Sequence, residues 1–441
     1  MKEAENLIFK NNLFDNKDIV GVACSGGIDS MSLLHYLNAN KQLFNIQVVA
    51  INVDHSIREE SAQDSLFVEN YCKSNNIKCY KFVVKAKEIA SKNKQSLEEA
   101  ARNARYSVFD TLLEKHIVDK IALAHHEQDQ VETILLNLLR GSGLKGVSGM
   151  EVSRNNYVRP FLTTKKRDII NYAYQNEIPF VEDATNNNIE YSRNLLRNKI
   201  IPLIKENWQG VDDNLLNFAK ICKQDDDYIN STIDFDDVII EKNLAKIPLF
   251  YFAYNESVVN RILRYSFAKI KAIKDIETKH LNIIKALVKD GENGTKINLP
   301  NNIIAHKEYD YLTILIKEDK KSSTPIEFFT GKNISFNNYK FSVKKTNKIN
   351  LKDEKCHYID ASKLPNNVVW RTRKDGDMFE KFGGGNKKLK EYLIDKKIPA
   401  RLRNEIPVLA NDKEVFVVLG YEISNKVKVD DLTKSAYKIE Y

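Results

Sequence analysis

The six residues Ser25-Gly26-Gly27-Ile28-Asp29-Ser30 bring together groups suited to holding phosphate. Gly26 and Gly27 let the main chain approach an anion that a Cβ would hold off. Ser25 and Ser30 add hydroxyl donors, and Asp29 offers a carboxylate able to hold Mg²⁺ against phosphate oxygens. Two further pairs carry charge at useful spacings. Asp129 and Glu132 share a helix face and suit a paired-carboxylate site for a cation, with capping of the helix dipole as the plainer reading. Arg193 and Arg197, four apart, share a face able to grip phosphate, though surface arginines at that spacing are also ordinary.

The elements that must position these residues follow from hydrophobic pattern. An apolar run from Ile19 to Cys24 stops at Ser25, and Met31, Leu33, Leu34 and Leu37 then recur at helical spacing. Strand, glycine turn, helix: this order exposes unpaired amides at the positive end of a helix dipole. Apolar β-rich runs at 19–24, 46–53, 78–84 and 120–125 alternate with helical patterns at 29–40, 59–75 and 96–115. That alternation predicts an α/β fold with a mainly parallel sheet covered on both faces. Ligands of such sheets bind at the C-terminal strand ends. The glycine turn, Val53-Asp54-His55 and Ala124-His125-His126 all follow strands directly, so they converge on one rim. The Walker pattern is absent. A GxGxxG run, Gly141 to Gly146, follows the helical VETILLNLLR rather than a strand, and reads as a helix C-cap and connecting loop.

With 441 residues, two or three domains are expected. The pattern predicts an α/β domain over 1–210, a mainly helical domain over 211–318, and a small β-rich α+β domain over 326–441, after the polar break Glu318–Pro325. No apolar run approaches the roughly 20 residues of a membrane span, so no membrane association is expected. The five scattered cysteines form no CxxC, and no signal-peptide pattern opens the chain; reduced thiols and a cytoplasmic location are expected. The net charge is +8, and residues 381–403 hold eight basic residues against two acidic ones. Lys387, Lys388, Lys390, Arg401 and Arg403 within this window, flanked by Phe379 and Phe382, point to a polyanionic partner.

Taken in order, the motifs SGGIDS, VDHSIREES, LEEAARNARY, AHHEQDQVETILLNLLRGSGLKGVSGM, RPFL, VEDATN, SRNLLRN and WRTRKDGDMFEKFGGGNKKLKEYLIDKKIPARLRNEIPVL resemble the bacterial tRNA(Ile)-lysidine synthases. These are PP-loop, N-type ATP pyrophosphatases with an adenine nucleotide alpha hydrolase-like catalytic domain. The resemblance implies ATP and Mg²⁺ as cofactors, free L-lysine and an isoleucine tRNA with a CAU anticodon as partners, and dimers in some members. It implies ATP binding by Ser25 to Ser30, catalysis by Asp29, Asp129, Arg193 and Arg197 with Arg105 as a further candidate, lysine binding by Asp129 and Glu132, and tRNA binding by the C-terminal basic element. The nearest alternatives are a PP-loop tRNA thiolase and a non-catalytic RNA-binding protein. The chain departs from the family pattern at Ile28 (usually Pro), Gln128 (usually the first carboxylate of the pair), Leu195 (usually Arg) and Asn198 (usually His).

Overall fold

The computed structural model describes residues 1–56, 61–181, 192–317, 324–331, 333–350, 353, 355–383 and 385–441. Residues 57–60 of VDHSIREES and 182–186 of VEDATN lie outside this set. The chain forms two compact units, Met1–Asn230 and Ser231–Tyr441.

The first unit is built on a six-stranded sheet of order β3-β2-β1-β4-β6-β5, with β1 Ile19–Ala23, β2 Gln47–Asp54, β3 Lys78–Val83, β4 Lys120–Ala122, β5 Ser153–Arg154 and β6 Tyr157–Val158. All pairings are parallel except β5 with β6. Alternate residues of a strand face opposite sides, and β2 shows it. Ala50 joins the core formed with helices Ile28–Ala39 and Ser61–Ser74, while Val49 and Ile51 pack with Phe109 and Leu112 of helix Leu97–Glu114. Burial on both faces explains why β1 and β2 read as continuous apolar runs. Strand order reverses between β1 and β4, so the crevice of this sheet opens where the glycine turn and His125-His126 emerge.

The sequence pattern predicts helix throughout 164–210, and the structure interrupts it. Helix Lys166–Gln175 ends at Asn176, Glu177 turns with φ +49°, and Ile178 returns to the core. Among the described residues beyond it, Ser192–Leu195 is again helical. The helix Ala86–Asn93 and the β5–β6 hairpin carry no sequence signal strong enough to place them. Gly141 to Gly146 forms a turn into the short helix Leu144–Val147. Helix Val211–Ser231 falls almost entirely within the first unit, because Leu215 and Leu216 pack against Val131, Leu135, Leu196 and Ile201.

The second unit begins with a five-stranded antiparallel sheet, and within 211–318, where helix still exceeds strand, its first two strands are what the pattern does not place. Strands Ile239–Glu241 and Leu244–Pro248 pair beside Tyr311–Ile316, Ile303–Lys307 and Lys296–Leu299. Helices Glu256–Lys269 and Thr278–Asp290 lay Leu263, Phe267 and Ile284 on this sheet. The remainder carries a seven-stranded and a four-stranded sheet around Phe341, Trp370 and Phe416. Among the described residues no helix is long and apolar enough to cross a membrane.

Candidate active site

The turn after β1 is shaped by its own side chains. Gly26 adopts φ +93°, a left-handed conformation costly for any residue with a Cβ. Ser30 Oγ donates to the Gly27 carbonyl (2.9 Å) and accepts from the Ser25 amide (3.2 Å), closing a compact ring. Gly27 is the N-cap of helix Ile28–Ala39, and no side chain caps it. The first-turn amides therefore face the crevice uncapped, the arrangement that receives phosphate. Ile28, in place of the usual proline, packs its side chain against the core.

Asp29 lies at the centre of a charged chain. Its Oδ1 accepts from Lys166 Nζ at 2.5 Å, and its Oδ2 lies 3.7 Å from His126 Nε2. His126 Nε2 is also 3.6 Å from Asp129 Oδ2, and the His126 amide donates to that oxygen at 3.0 Å. Burial pushes the Asp29 carboxyl up, but His126 and Lys166 outweigh it and hold the group below the usual carboxylate range. Asp129 is likewise held low, by His126 and Arg193 against burial.

Asp129, Glu132, Arg193 and Arg197 come together, but they engage one another. Glu132 is fully buried. Its Oε1 accepts from Arg197 Nε at 2.6 Å, and its Oε2 from Arg193 Nε at 3.0 Å and Arg197 Nη2 at 2.9 Å. Arg197 Nη2 also reaches Asp129 Oδ1 at 3.0 Å. In this state the carboxylates hold the two arginines, so the pair is not open to a ligand as its spacing alone suggested. The replacements Leu195 and Asn198 lie on the segment that carries the two arginines.

Buried polar groups without partners line the same rim. Asn52 Nδ2 donates to the Cys24 carbonyl at 2.9 Å while, among the described residues, its Oδ1 and the Nδ1 atoms of His55 and His125 find no partner. Such atoms are costly to leave unpaired, which marks the rim as shaped for something bound. Burial pulls His125 down to about 4, keeping it neutral. Arg105 sits beside His55, half-buried, with its guanidinium pulled below the usual value by burial. Asn52, His126 and Lys166 do not stand out from sequence as site residues; only His126, next to a strand end, carries any signal.

The donor set fits the phosphates of ATP: an uncapped glycine turn and two hydroxyls offer hydrogen-bond donors to an anion. For Mg²⁺ the donor set is sparse. Asp29 supplies one carboxylate, and among the described residues no three His, Cys, Asp or Glu side chains could hold a metal together. That fits an ion which takes most of its ligands from phosphate and water, as Mg²⁺ does with nucleotides.

In the second unit the basic element divides in two. Lys388 and Lys390 are exposed and meet no carboxylate among the described residues, as do Lys381 and Lys397. Lys387 pairs with Asp395. Arg401 Nε binds Glu308 at 2.7 Å, and Arg403 binds the Ile398 carbonyl (2.7 Å) and Tyr309 hydroxyl (3.1 Å). The two arginines expected on RNA thus brace the fold. Phe379, expected to flank the element, is fully buried against Tyr392, with ring centroids 4.7 Å apart, while Phe382 is exposed.

Residues 2–204 match the PP-loop domain family and residues 368–439 the TilS substrate C-terminal domain family. The tRNA(Ile)-lysidine synthase of Clostridium tetani is 34% identical over 464 residues, spanning 99% of this chain and 97% of that protein. That of Caldanaerobacter subterraneus is 33% identical, spanning 98% and 96%. The bifunctional protein TilS/HprT of Listeria monocytogenes is 30% identical, and this chain spans 70% of it. Likeness of this extent, end to end and across both the phosphate crevice and the C-terminal element, means that the chain belongs to the tRNA(Ile)-lysidine synthase family.

Proposed function

We propose that this chain uses ATP to join lysine to C2 of the wobble cytidine in the CAU anticodon of isoleucine tRNA, giving lysidine, AMP and pyrophosphate. The observation that carries the reading is the uncapped glycine turn with Asp29 tied through His126 to the Asp129–Glu132–Arg193–Arg197 cluster.

A cytosine C2 oxygen is a poor leaving group until it is joined to the α-phosphate of ATP. The O2–Pα bond forms as the bond from Pα to pyrophosphate breaks, and the amine of lysine then displaces AMP from C2. The turn amides with Ser25 and Ser30 hold the phosphates, and Asp29 would hold Mg²⁺, which would supply charge neutralisation on phosphate oxygens. Arg193 and Arg197 serve both steps. They occupy Asp129 and Glu132 before substrates arrive, then move toward the phosphate, where negative charge builds. Their departure leaves two carboxylates to receive the lysine ammonium and accept a proton from it. Lysine should accordingly bind more tightly once nucleotide is present. The exposed lysines of the C-terminal element hold the tRNA backbone through charge.

A thiolase reading needs a thiol at the rim. Cys24 is the nearest cysteine in sequence, and it is buried, its thiol pushed far up by burial. The deciding experiment is incorporation of radiolabelled lysine into tRNA with a CAU anticodon, with and without ATP. ATP-dependent label with release of AMP is expected. Absence of label, with sulfur transfer in its place, overturns the reading.

A further inference from the structure

Lys166 is the first residue of helix Lys166–Gln175, within a Lys165-Lys166-Arg167 run that has no pattern of its own. Four contacts fix it at the crevice. Tyr172 on the same helix bonds His35 at 2.8 Å and packs edge-on against Tyr36, locking this helix to the one that begins at the glycine turn. The Thr164 carbonyl, two residues before Lys166, accepts from the Glu127 amide at 3.1 Å, tying the same segment to the start of the helix bearing Asp129 and Glu132. The Lys166 ammonium then meets Asp29 Oδ1 at 2.5 Å, with about a third of its side chain still open to solvent.

A lysine kept only as a partner for Asp29 would be a poor arrangement. The carboxylate that should hold a divalent cation is already neutralised, and a cation arriving there meets an ammonium at contact distance. The conflict vanishes when phosphate lies between them, because the ammonium can move onto phosphate oxygen as the carboxylate takes the metal. Lysine suits such an exchange, being a compact charge on a flexible stem with three donors.

We propose that Lys166 is a phosphate ligand of the nucleotide, binding the β- and γ-phosphates and remaining on pyrophosphate as it leaves. This rests on the ATP-dependent reading above. In the first step the electron pair of the breaking bond goes to the pyrophosphate oxygen, and the Lys166 ammonium offsets that charge without giving up its proton.

The test compares ATP, pyrophosphate and AMP binding by calorimetry, without tRNA and with Mg²⁺ present, for wild type, Lys166→Met and Lys166→Arg. AMP lacks the phosphates in question. The expected result is a roughly ten- to hundred-fold weaker affinity of Lys166→Met for ATP and pyrophosphate, unchanged AMP affinity, and substantial recovery in Lys166→Arg. Wild-type affinity of Lys166→Met for ATP, or an equal loss for ATP and AMP, overturns the proposal alone. Wild-type protein that binds none of the three overturns it together with the ATP-dependent reading. A thermal unfolding curve shows whether Lys166→Met is folded; should it not be, Lys166→Gln takes its place under the same criteria.

Discussion

Glu132 has no exposed surface and gives both oxygens to arginines, so it acts through Arg193 and Arg197 as much as through any ligand. Glu132→Gln keeps the shape and removes the charge. Two guanidinium groups then share one neutral amide oxygen, and stability should fall by about 2 kcal/mol. The sharper consequence is kinetic. Lysine alone among the substrates brings an ammonium group, so its half-saturating concentration should rise roughly ten-fold while that of ATP changes little. A rise confined to ATP would show that this carboxylate serves the phosphates instead. Asp29, Asp129, Glu132 and the serines are legible in sequence because each lies in a contiguous motif beside a strand end. Lys166 and Asn52 are not, since their positions depend on packing between segments far apart in the chain. Nor does spacing say that two arginines would rest on the two carboxylates; the return of 193–197 onto the helix Glu127–Leu139 is purely tertiary.

The basic element shows how one charge run can hold two kinds of residue. Arg401 and Glu308 are mostly buried and bonded, whereas Lys388 and Lys390 point into solvent. Composition could not separate them, because the partners Glu308 and Tyr309 lie some ninety residues earlier in the chain. Lys388→Ala with Lys390→Ala should therefore weaken tRNA binding and lower the log–log salt slope by about 0.7–0.9 for each phosphate no longer neutralised. Arg401→Ala should leave that slope alone and destabilise the second unit by about 3 kcal/mol, since it strands a buried carboxylate. Affinity measured across salt concentrations, beside urea unfolding, separates the two effects. An unchanged slope in the double lysine variant would make these residues a solvated face and nothing more. The long elements of the first unit are legible for the opposite reason to this one: their apolar periodicity is local. Strands Ile239–Glu241 and Leu244–Pro248 are too short to establish a period, and they are recognisable only by the sheet they join.

At the scale of the whole molecule, the full-length order of motifs makes the family legible, while its dependence on pH comes from burial that no motif encodes. Each unit contains a histidine that burial pulls down to about 4, His125 in the first and His357 in the second. An unfolded histidine titrates near 6.5. Between these values the unfolded chain binds a proton that the folded chain refuses, so stability falls as pH drops from about 6.5 toward 4 and is complete above that window. Each histidine should contribute roughly 1–3 kcal/mol across it. A second decline starts lower. Asp360, held at about 2 by Ser362 and Thr433 against burial, and Glu440, held at about 2 by Lys344 and Lys438, keep their stabilisation above an unfolded value near 4 and lose it below. His357 offers the cleaner test, because it belongs to the second unit, with Nε2 buried and unmatched among the described residues and its ring packed on Tyr441. Urea unfolding from pH 7.5 to 4.5 should show wild type losing stability below 6.5. His357→Asn should start less stable at pH 7 and lose less on acidification, while ATP binding at neutral pH stays as in wild type. Parallel curves for the two proteins would mean that His357 takes up its proton in the folded state as readily as in the unfolded one, and the acid sensitivity of the second unit would then have to begin with its carboxylates.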